Sequence, residues 1–273
     1  MKDSFSVLIS VYVKDRPAWV RQALDSVLSN TVPPSEVIIM VDGPVGDELK
    51  AVLEQAVQNA LVRVIYHPVN VGRGAALAIA VPQCKYELIA LVDADDISHP
   101  DRFEKQLAAF AANPELAVVG GQVQELEAET LRPFAQRRVP LTNEEIRQYL
   151  KKRMPFNNPT VMFKKSAVLA SGNFQPVGLV EDYHMWVHVA AKGYQMANLP
   201  DILVDMRVNA ALYGRRGGYK YFCMNKALYD EMLQLHLINI FEYCYILTVR
   251  FTVQVLMPNW LRGWFYRRAL RQI

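Results

Sequence analysis

Short apolar runs alternate with amphipathic segments along the first half of the chain. The runs at 5–12, 36–41, 61–66 and 87–92 end in polar residues, a pattern typical of strands that are covered on both faces of a sheet. The segments between them, for example 17–29, repeat apolar residues at helical spacing. Strands that alternate with helices in this way predict right-handed βαβ crossovers. We therefore expect an α/β fold with a mostly parallel, Rossmann-like sheet flanked by helices.

The rest of the chain predicts further helices and shorter strands. Apolar spacing predicts helices over 49–57, 74–81, 103–110, 142–152, 165–171 and 183–190, and strands over 117–121 and 161–163. Thr142 with Glu145 forms a capping box, which fixes the start of one of these helices. The polar stretch 124–138 is expected to be a loop or a hairpin.

Composition adds few constraints to this picture. The 273 residues are 52% hydrophobic and 21% charged, as in a globular protein of one large or two small domains. The net charge of +3 is too small to indicate nucleic acid as a partner. Cys84, Cys223 and Cys244 lack metal-type spacing, so we expect free, buried thiols in a reducing compartment. The start of the chain resembles no signal peptide, which favours a cytoplasmic location.

Three carboxylates follow the apolar run at 87–92. Asp93, Asp95 and Asp96 would lie at the carboxyl end of a parallel strand, where ligands bind in open α/β sheets. Crowded like charges are unfavourable unless a cation offsets them, so the group indicates a hard divalent ion that shares its shell with substrate phosphates. The alternative is that these acids are turn and helix-cap residues.

The other predicted strand ends exclude a dinucleotide site and offer nucleotide-binding side chains instead. No glycine-rich turn follows the first strand, and the turn at Gly72 and Gly74 reaches Leu77 where the dinucleotide fingerprint needs a small residue. A P-loop is also missing. Three side chains at these strand ends are candidates for nucleotide binding. The ring of Tyr12 could stack on a base, Asp42 could accept from a base N–H, and Arg73 could bind phosphate as a cation. For Asp42 alone, turn chemistry in Asp-Gly-Pro is the alternative.

A second acid pair, Glu181 and Asp182, opens a predicted helix. Acids at a helix N-terminus are stabilised by the macrodipole whether or not they do chemistry. In the same helix, His184 and His188 are four residues apart, a spacing that zinc ligands can have. The sequence offers neither a glutamate between them in a His-Glu-x-x-His arrangement nor a third ligand. A solvated or core-satisfied histidine pair is therefore expected, without zinc.

These motifs, in this order, resemble the family 2 glycosyltransferases with the GT-A fold. The resemblance covers residues 5–207. The motifs that carry it are the stretches 10–12, 41–44 and 93–96 and the acid pair at 181–182, which precedes a helix with a tryptophan. The stretches 42–44 and 157–160, with the basic and aromatic C-terminal segment, resemble the branch that builds bacterial capsular and exopolysaccharides, including amylovoran-type transferases. Two departures are Val41, where many relatives have a second acid, and the missing Gln-x-x-Arg-Trp motif of processive synthases.

The resemblance implies an inverting transfer from a nucleotide-sugar, with UDP as the expected nucleotide, to a saccharide or a polyprenyl-diphosphate-linked saccharide. It implies that Asp95 and Asp93 bind Mn²⁺ or Mg²⁺, that Asp182 is the general base, and that Glu181 orients it. The implied donor-binding residues are Ser10, Val11, Tyr12, Asp42, Arg73, Asp93 and Ala94. Asp96 would contact the ribose or support the metal.

Two other functions are compatible with such a sheet. A sugar-nucleotide nucleotidyltransferase would need a glycine-rich basic loop after the first strand, which is lacking. A non-catalytic nucleotide-sugar-binding protein would not be expected to keep the acids of both clusters.

We expect a GT-A domain at 1–207 and a helical C-terminal region at 208–273. The first would divide into a nucleotide-sugar-binding half at 1–125 and an acceptor-side half at 126–207. Polar groups interrupt the apolar stretch 235–257, which a bilayer span tolerates poorly; they are Glu242, Arg250 and Gln254. The final segment combines aromatic and apolar residues with arginines and has no acid; these residues are Trp260, Leu261, Trp264 and Phe265, with Arg262, Arg267, Arg268 and Arg271.

This composition predicts a C-terminal region that lies in an anionic membrane surface, and hence an enzyme on the inner face of the cell membrane. The alternative is a pair of helices packed on the catalytic domain or on a second copy in a homo-oligomer.

Overall fold

One mixed sheet organises the molecule. The computed structural model describes residues 4–208 and 218–257. Within them the strand order is β3-β2-β1-β4-β8-β6-β9-β5, and β7 pairs with β6 outside this path. The strands are β1 Phe5–Val11, β2 Glu36–Asp42, β3 Val62–His67, β4 Leu88–Asp93, β5 Ile97–Ser98, β6 Leu116–Glu127, β7 Pro133–Arg137, β8 Met162–Lys164 and β9 Gln195–Val208.

The first four long strands form the parallel half that the apolar runs predict. β1 lies between β2 and β4, and β2 pairs in parallel with β3. Their residues are buried on alternate faces: Leu8 belongs to one core cluster, while Val7 and Ile9 belong to the other. Because both faces are covered, the strands read as continuous apolar runs. The predicted α/β class with a mostly parallel sheet is confirmed in this half.

The second half of the sheet is more mixed than the sequence indicates. β8 runs antiparallel to both β4 and β6, whereas β9 runs parallel to β6. The polar stretch 124–138 is a hairpin of β6 and β7, one of the two predicted alternatives. The sequence does not predict the long strand β9, because Asn198, Pro200 and Asp201 interrupt its apolar pattern.

Helices cover both faces of the sheet. They are α1 Pro17–Leu28, α2 Asp47–Ala56, α3 Arg73–Ala80, α4 Arg102–Ala112, α5 Asn143–Leu150, α6 Lys165–Ala170, α7 Glu181–Ala191, α8 Tyr219–Gln234 and α9 Ile240–Phe251. A π-helical turn, Thr252–Leu256, extends α9. The predicted capping box of α5 is present, with Thr142 and Glu145 bonded reciprocally to each other's backbone N–H.

The two C-terminal helices pack on the rest of the α/β structure. Leu228, Tyr229 and Met232 of α8 are buried in the same cluster as Trp186 of α7. The polar residues that interrupt the 235–257 stretch face inward: Glu242 pairs with Lys151 at 2.9 Å, Arg250 donates to the Tyr229 hydroxyl at 2.8 Å, and Gln254 is buried. The division of the chain into a GT-A domain at 1–207 and a C-terminal region at 208–273 stays a prediction.

The outward side of α9 is apolar and exposed. Phe241, Tyr245 and Leu256 are 83%, 65% and 64% exposed. None of the helices in the described ranges is long and apolar enough to cross a membrane. The predicted basic and aromatic segment at 260–271 lies outside the described residues. The expectation of buried thiols is right for Cys84 and wrong for Cys223 and Cys244, which lie on the outward sides of α8 and α9.

Candidate active site

The carboxyl ends of β1, β2 and β4 meet at one edge of the sheet. Ser10 of β1 is the register partner of Asp93 in β4, and Val11 pairs with Val41, next to Asp42. Parallel pairing therefore places three predicted donor-binding segments side by side, as the strand order requires. Val11 and Ala94 are buried, so their backbone is what they can offer to a ligand.

Arg73 connects the two acid clusters. Its guanidinium donates to Asp93 at 2.9 Å and to Asp182 at 2.6 Å, although these residues lie on different elements. Arg73 is the first residue of α3, Asp182 the second of α7, and both side chains are 27% exposed. Burial alone would lower the pKa of Arg73, but the charges of Asp182 and Asp93 raise it, so the cation is fixed there.

A glycine makes this contact possible. A Cβ on Gly74 would lie 2.5 Å from the Gln175 carbonyl oxygen and 3.2 Å from Cβ of Glu181. Only a residue without a side chain lets the first turn of α3 approach the start of α7 this closely. The Gly-Arg-Gly turn at 72–74, which fails the dinucleotide fingerprint, therefore brings Arg73 to the second acid cluster.

The pKa values of the two acids at the start of α7 are both raised. Burial raises the pKa of Asp182, and Arg73 partly offsets this effect. Burial, followed by the charge of Asp182, raises the pKa of Glu181 to about 7. Trp186, one turn further along α7, donates to Asn158 Oδ1 at 3.3 Å, which ties the Asn-Asn-Pro-Thr turn to this helix. Such an environment suits proton transfer near neutral pH.

The acid loop, residues 93–96 after β4, is held in place by the end of β9, which the sequence does not predict. Asp96 is buried and its carboxylate accepts from the backbone N–H of Arg207 at 2.9 Å, which ties the loop to the end of β9. The Arg207 guanidinium donates to the Asp95 carbonyl oxygen and stacks over Trp19, 5.3 Å from the ring centroid. Burial, followed by the charges of Asp95 and Asp93, raises the pKa of Asp96. The two roles that the resemblance implies for Asp96, a contact with the ribose or support of the metal, stay predictions.

Asp93 and Asp95 fit a divalent cation. Burial, followed by the charge of Asp93, raises the pKa of Asp95 to about 6, and the charges of Arg207 and Arg73 only partly offset this rise. Asp93 remains 31% exposed at the sheet edge. Hard carboxylate oxygens that are open to solvent on one side are the ligands Mg²⁺ and Mn²⁺ take when phosphates complete the shell.

Asp42 organises the loop that carries Arg73. Its Oδ1 accepts from Val71 N at 2.7 Å and its Oδ2 from Gly72 N at 2.9 Å. Both oxygens thus hold the loop between β3 and α3, whereas the sequence predicts an acceptor for a base. Each carboxylate oxygen has a second lone pair, so the predicted contact with a base stays a prediction.

The sequence pattern does not single out Asp15, which lies at this edge. Its carboxylate accepts from Tyr12 N at 2.8 Å, while Asp15 N donates to Tyr12 O at 3.0 Å, so the turn that follows β1 is fixed from both directions. Burial raises the pKa of Asp15 to about 7, with the charges of Asp95 and Asp93 adding to the effect. A lone aspartate in a Lys-Asp-Arg stretch carries no signal of this placement.

Two curated relatives match this chain over almost its full length. Amylovoran biosynthesis glycosyltransferase AmsE of Erwinia amylovora is 32% identical over 264 residues, which are 97% of this chain and 98% of the relative. The UDP-Gal:α-D-GlcNAc-diphosphoundecaprenol β-1,3-galactosyltransferase of Escherichia coli is 34% identical over 268 residues, 98% of this chain and 97% of that one.

Solved structures support the fold. S. aureus TarS 1–349 in complex with UDP-GlcNAc has a TM-score of 0.68 at 16% identity, over 92% of this chain and 73% of that chain. The mannosyltransferase PcManGT from Pyrobaculum calidifontis, in complex with GDP-Man and Mn²⁺, has a TM-score of 0.62 at 17% identity, over 90% and 73%. Residues 6–171 match the profile of glycosyl transferase family 2. With the predicted motifs at one edge of a GT-A sheet, the chain belongs to glycosyl transferase family 2 and is a glycosyltransferase.

Proposed function

We propose that this glycosyltransferase moves a sugar from a UDP-sugar to a polyprenyl-diphosphate-linked saccharide, with inversion and with a divalent cation, in the synthesis of a bacterial surface polysaccharide. The observation that carries the proposal is the position of Arg73, which contacts Asp93 of the metal-type pair and Asp182 of the second cluster. One site thus holds groups for a diphosphate and a candidate base. The names of the Escherichia coli and Erwinia amylovora relatives support the donor, acceptor and pathway class.

The donor half would use the edge at β1, β2 and β4. Tyr12 offers a ring for the base, and the Arg73 guanidinium offers donors for the phosphates. Mn²⁺ or Mg²⁺, when held by Asp93 and Asp95, would neutralise charge on the diphosphate leaving group. Arg207 and Asp96 keep the loop that carries Asp95 in place against β9.

The acceptor half would use the start of α7. Asp182 accepts the proton of the attacking hydroxyl while the acceptor oxygen forms its bond to the anomeric carbon. The bond from that carbon to the phosphate oxygen breaks, and the nucleoside diphosphate leaves with its electron pair. A single displacement of this kind inverts the anomeric configuration. Arg73 opposes the burial that raises the pKa of Asp182, and this helps to keep the base ionised.

A membrane-facing C-terminal region would suit a lipid-linked acceptor. Phe241, Tyr245 and Leu256 present an exposed apolar stripe, while the polar residues of the same stretch face the catalytic body. The sequence beyond Met257 adds aromatic residues and arginines without an acid. This combination favours shallow binding to an anionic bilayer and a location on the inner face of the membrane.

A donor and acceptor screen tests the proposal. Purified protein is incubated with UDP-, GDP- and dTDP-sugars, Mn²⁺ or Mg²⁺, and a synthetic polyprenyl-diphosphate saccharide. We expect transfer from a UDP-sugar, and we expect EDTA to abolish it. NMR of the product should show an anomeric configuration opposite to that of the donor sugar. A product of unchanged configuration would contradict inversion, and activity in EDTA would contradict the metal. Absence of transfer from every UDP-sugar would contradict the donor assignment.

A further inference from the structure

The histidine pair of α7 meets a carboxylate from α8. His184 Nε2 lies 2.9 Å and His188 Nε2 lies 3.1 Å from the same oxygen, Oε2 of Glu231. The two imidazole rings are 4.4 Å apart between centroids. The sequence predicts a pair without a third ligand, whereas the fold supplies one from 43 residues further along the chain.

The cluster is more than a surface ion pair. His184 is 8% exposed, and its other nitrogen, Nδ1, is buried and has no hydrogen-bond partner among the described residues. The hydrogen bond to Glu231 therefore satisfies only one of the two ring nitrogens of this buried histidine. The possible ligand atoms of His184, His188 and Glu231 all lie within 4.8 Å of one another. Among the described residues, no other group of three His, Cys, Asp or Glu side chains meets this criterion.

We propose that His184, His188 and Glu231 form a zinc site that joins α8 to α7. Zinc bonds of about 2.0–2.1 Å in a tetrahedron separate neighbouring ligand atoms by about 3.4 Å. The observed separations of 2.9 and 3.1 Å therefore need to open by only a few tenths of an ångström. Histidines four apart on a helix present both nitrogens to one point, and the carboxylate opposite them supplies the negative charge.

The donor set discriminates against the cations expected at the active site. Two imidazoles and one carboxylate favour Zn²⁺ and other borderline metals, whereas the all-carboxylate pair Asp93 and Asp95 favours Mg²⁺ or Mn²⁺. A water molecule would complete the tetrahedron. Metal binding at Nε2 places the His184 proton on Nδ1, which has no partner among the described residues, so the affinity is expected to be lower than that of a site whose ligands are all hydrogen-bonded.

The site would couple the C-terminal helices to the catalytic helix. α7 begins with Glu181 and Asp182, and His184 lies in its first turn. A cation between α7 and α8 binds the folded state and not the separated helices, so it stabilises this junction by mass action. The inference rests on the three side chains and is independent of the proposed transfer reaction.

Metal titrations of the full chain test the site. The protein is titrated with Zn²⁺, followed by thermal unfolding and calorimetry, and with Co²⁺, followed by its visible spectrum, all in excess Mg²⁺ to occupy the carboxylate pair. We expect one equivalent to bind, raise Tm and give the intense bands of tetrahedral cobalt. His188→Ala and Glu231→Gln should each weaken zinc binding at least tenfold and remove these bands.

A histidine outside the cluster provides the matched control. His236 has a φ of 55°, which asparagine tolerates, so His236→Asn removes an imidazole without disturbing the backbone. This variant should bind zinc as the unaltered chain does. Glu231→Gln keeps the size and the hydrogen bonds of the residue, so its fold is expected to survive if His188→Ala is unstable. Unchanged zinc affinity in Glu231→Gln, or no tetrahedral cobalt spectrum in the unaltered chain, would overturn the proposal.

Discussion

The Arg73 guanidinium donates to Asp182 at 2.6 Å across 109 positions of the sequence. The same guanidinium donates to Asp93, so a single cation is shared between the metal-type carboxylates and the candidate base. A diphosphate that binds beside Asp93 competes for this cation, since phosphate oxygens are strong acceptors for guanidinium. In the proposed reaction, donor binding is therefore linked to the charge balance of Asp182.

Replacing Arg73 should change the pH dependence of transfer. Burial raises the pKa of Asp182 and Arg73 opposes that rise, so Arg73→Gln should raise this pKa further. A base must be ionised, and therefore the acid limb of kcat/KM should move to higher pH. At neutral pH the rate should fall by about a hundredfold or more, the usual cost of losing such a donor. The measurement is kcat/KM from acidic to alkaline pH.

Arg73→Lys is the matched control for this change. Lysine keeps the positive charge but cannot donate to two carboxylates through a planar fork. It should hold the acid limb closer to its original position while losing part of the rate. An acid limb that stays in place in Arg73→Gln would show that Arg73 does not set the protonation of the base.

Asp182→Asn should separate binding from chemistry. The amide keeps the size of the carboxylate but cannot accept the proton of the acceptor hydroxyl, so transfer should fall by about a hundredfold or more while donor affinity is retained. Transfer rates and donor titrations on the same preparation check this. Asp47→Asn, at the exposed start of α2, removes a helix N-terminal acid elsewhere and should leave both quantities unchanged. Near-normal turnover of Asp182→Asn would assign the base to Glu181 instead.

Asp95→Asn should abolish metal-dependent donor binding. Asp95 is one of the two proposed carboxylate ligands, and its loss is expected to cost several kcal/mol of transition-state stabilisation. Calorimetric titration with UDP-sugar, with and without Mn²⁺, measures the binding, and an unchanged circular dichroism spectrum verifies the fold. Asp101→Asn, which alters a carboxylate that is 44% exposed and paired with Lys105, is the control. Donor binding by Asp95→Asn that still depends on Mn²⁺ would place the metal on other residues.

The ends of the parallel strands could be read from the sequence because their signal is local. An apolar run fixes each strand and parallel pairing aligns the carboxyl ends, so polar residues such as Asp42 and Asp93 lie at the same edge of the sheet. The capping box at Thr142 is local in the same sense, and the structure contains it. These features depend on residues a few positions apart.

Contacts between distant segments could not be read in this way. Arg207 fixes the acid loop from the end of β9, and Glu231 meets the histidine pair from α8. Neither residue belongs to a short motif, and the pattern of β9 is broken by polar residues and a proline. Asp96 shows the reverse case: its motif is local, but the partner that buries it is 111 positions away.

Asp15→Asn should stabilise the protein at alkaline pH. The pKa of Asp15 is about 7 in the folded protein, against the ordinary value of 3.8 for an aspartate, so between these values the folded protein keeps a proton that the unfolded chain has released. Stability due to this group therefore falls as pH rises through that window and stays low above it. Asparagine can still accept from Tyr12 N and carries no charge.

The expected gain for Asp15→Asn is about 1 kcal/mol at pH above 7, because solvent screens a partly exposed group, and this corresponds to about 2–4 °C in Tm. It should vanish well below pH 3.8, the ordinary pKa of an aspartate, where both the folded and the unfolded chain are protonated. Thermal unfolding in metal-free buffer at several pH values gives the difference. Asp25→Asn, in α1, provides a control at another aspartate. A Tm difference that is independent of pH would exclude the electrostatic explanation.

If α9 binds the membrane as proposed, negative charges on its outward side should release the enzyme from anionic vesicles. Phe241 and Tyr245 are 83% and 65% exposed and lie one turn apart, so Phe241→Glu with Tyr245→Glu removes apolar contact and adds repulsion without disturbing the core. Flotation with vesicles that contain anionic lipid should recover the unaltered chain at low salt and less of it at high salt. The double variant and a chain truncated after Met257 should stay at the bottom of the gradient, apart from the vesicles. Tyr66→Glu, at a tyrosine of β3 that is 53% exposed, should float as the unaltered chain does. If the unaltered chain stays unbound at low salt, the apolar stripe of α9 serves a contact between protein molecules, and sedimentation should then reveal an oligomer that the double variant dissociates.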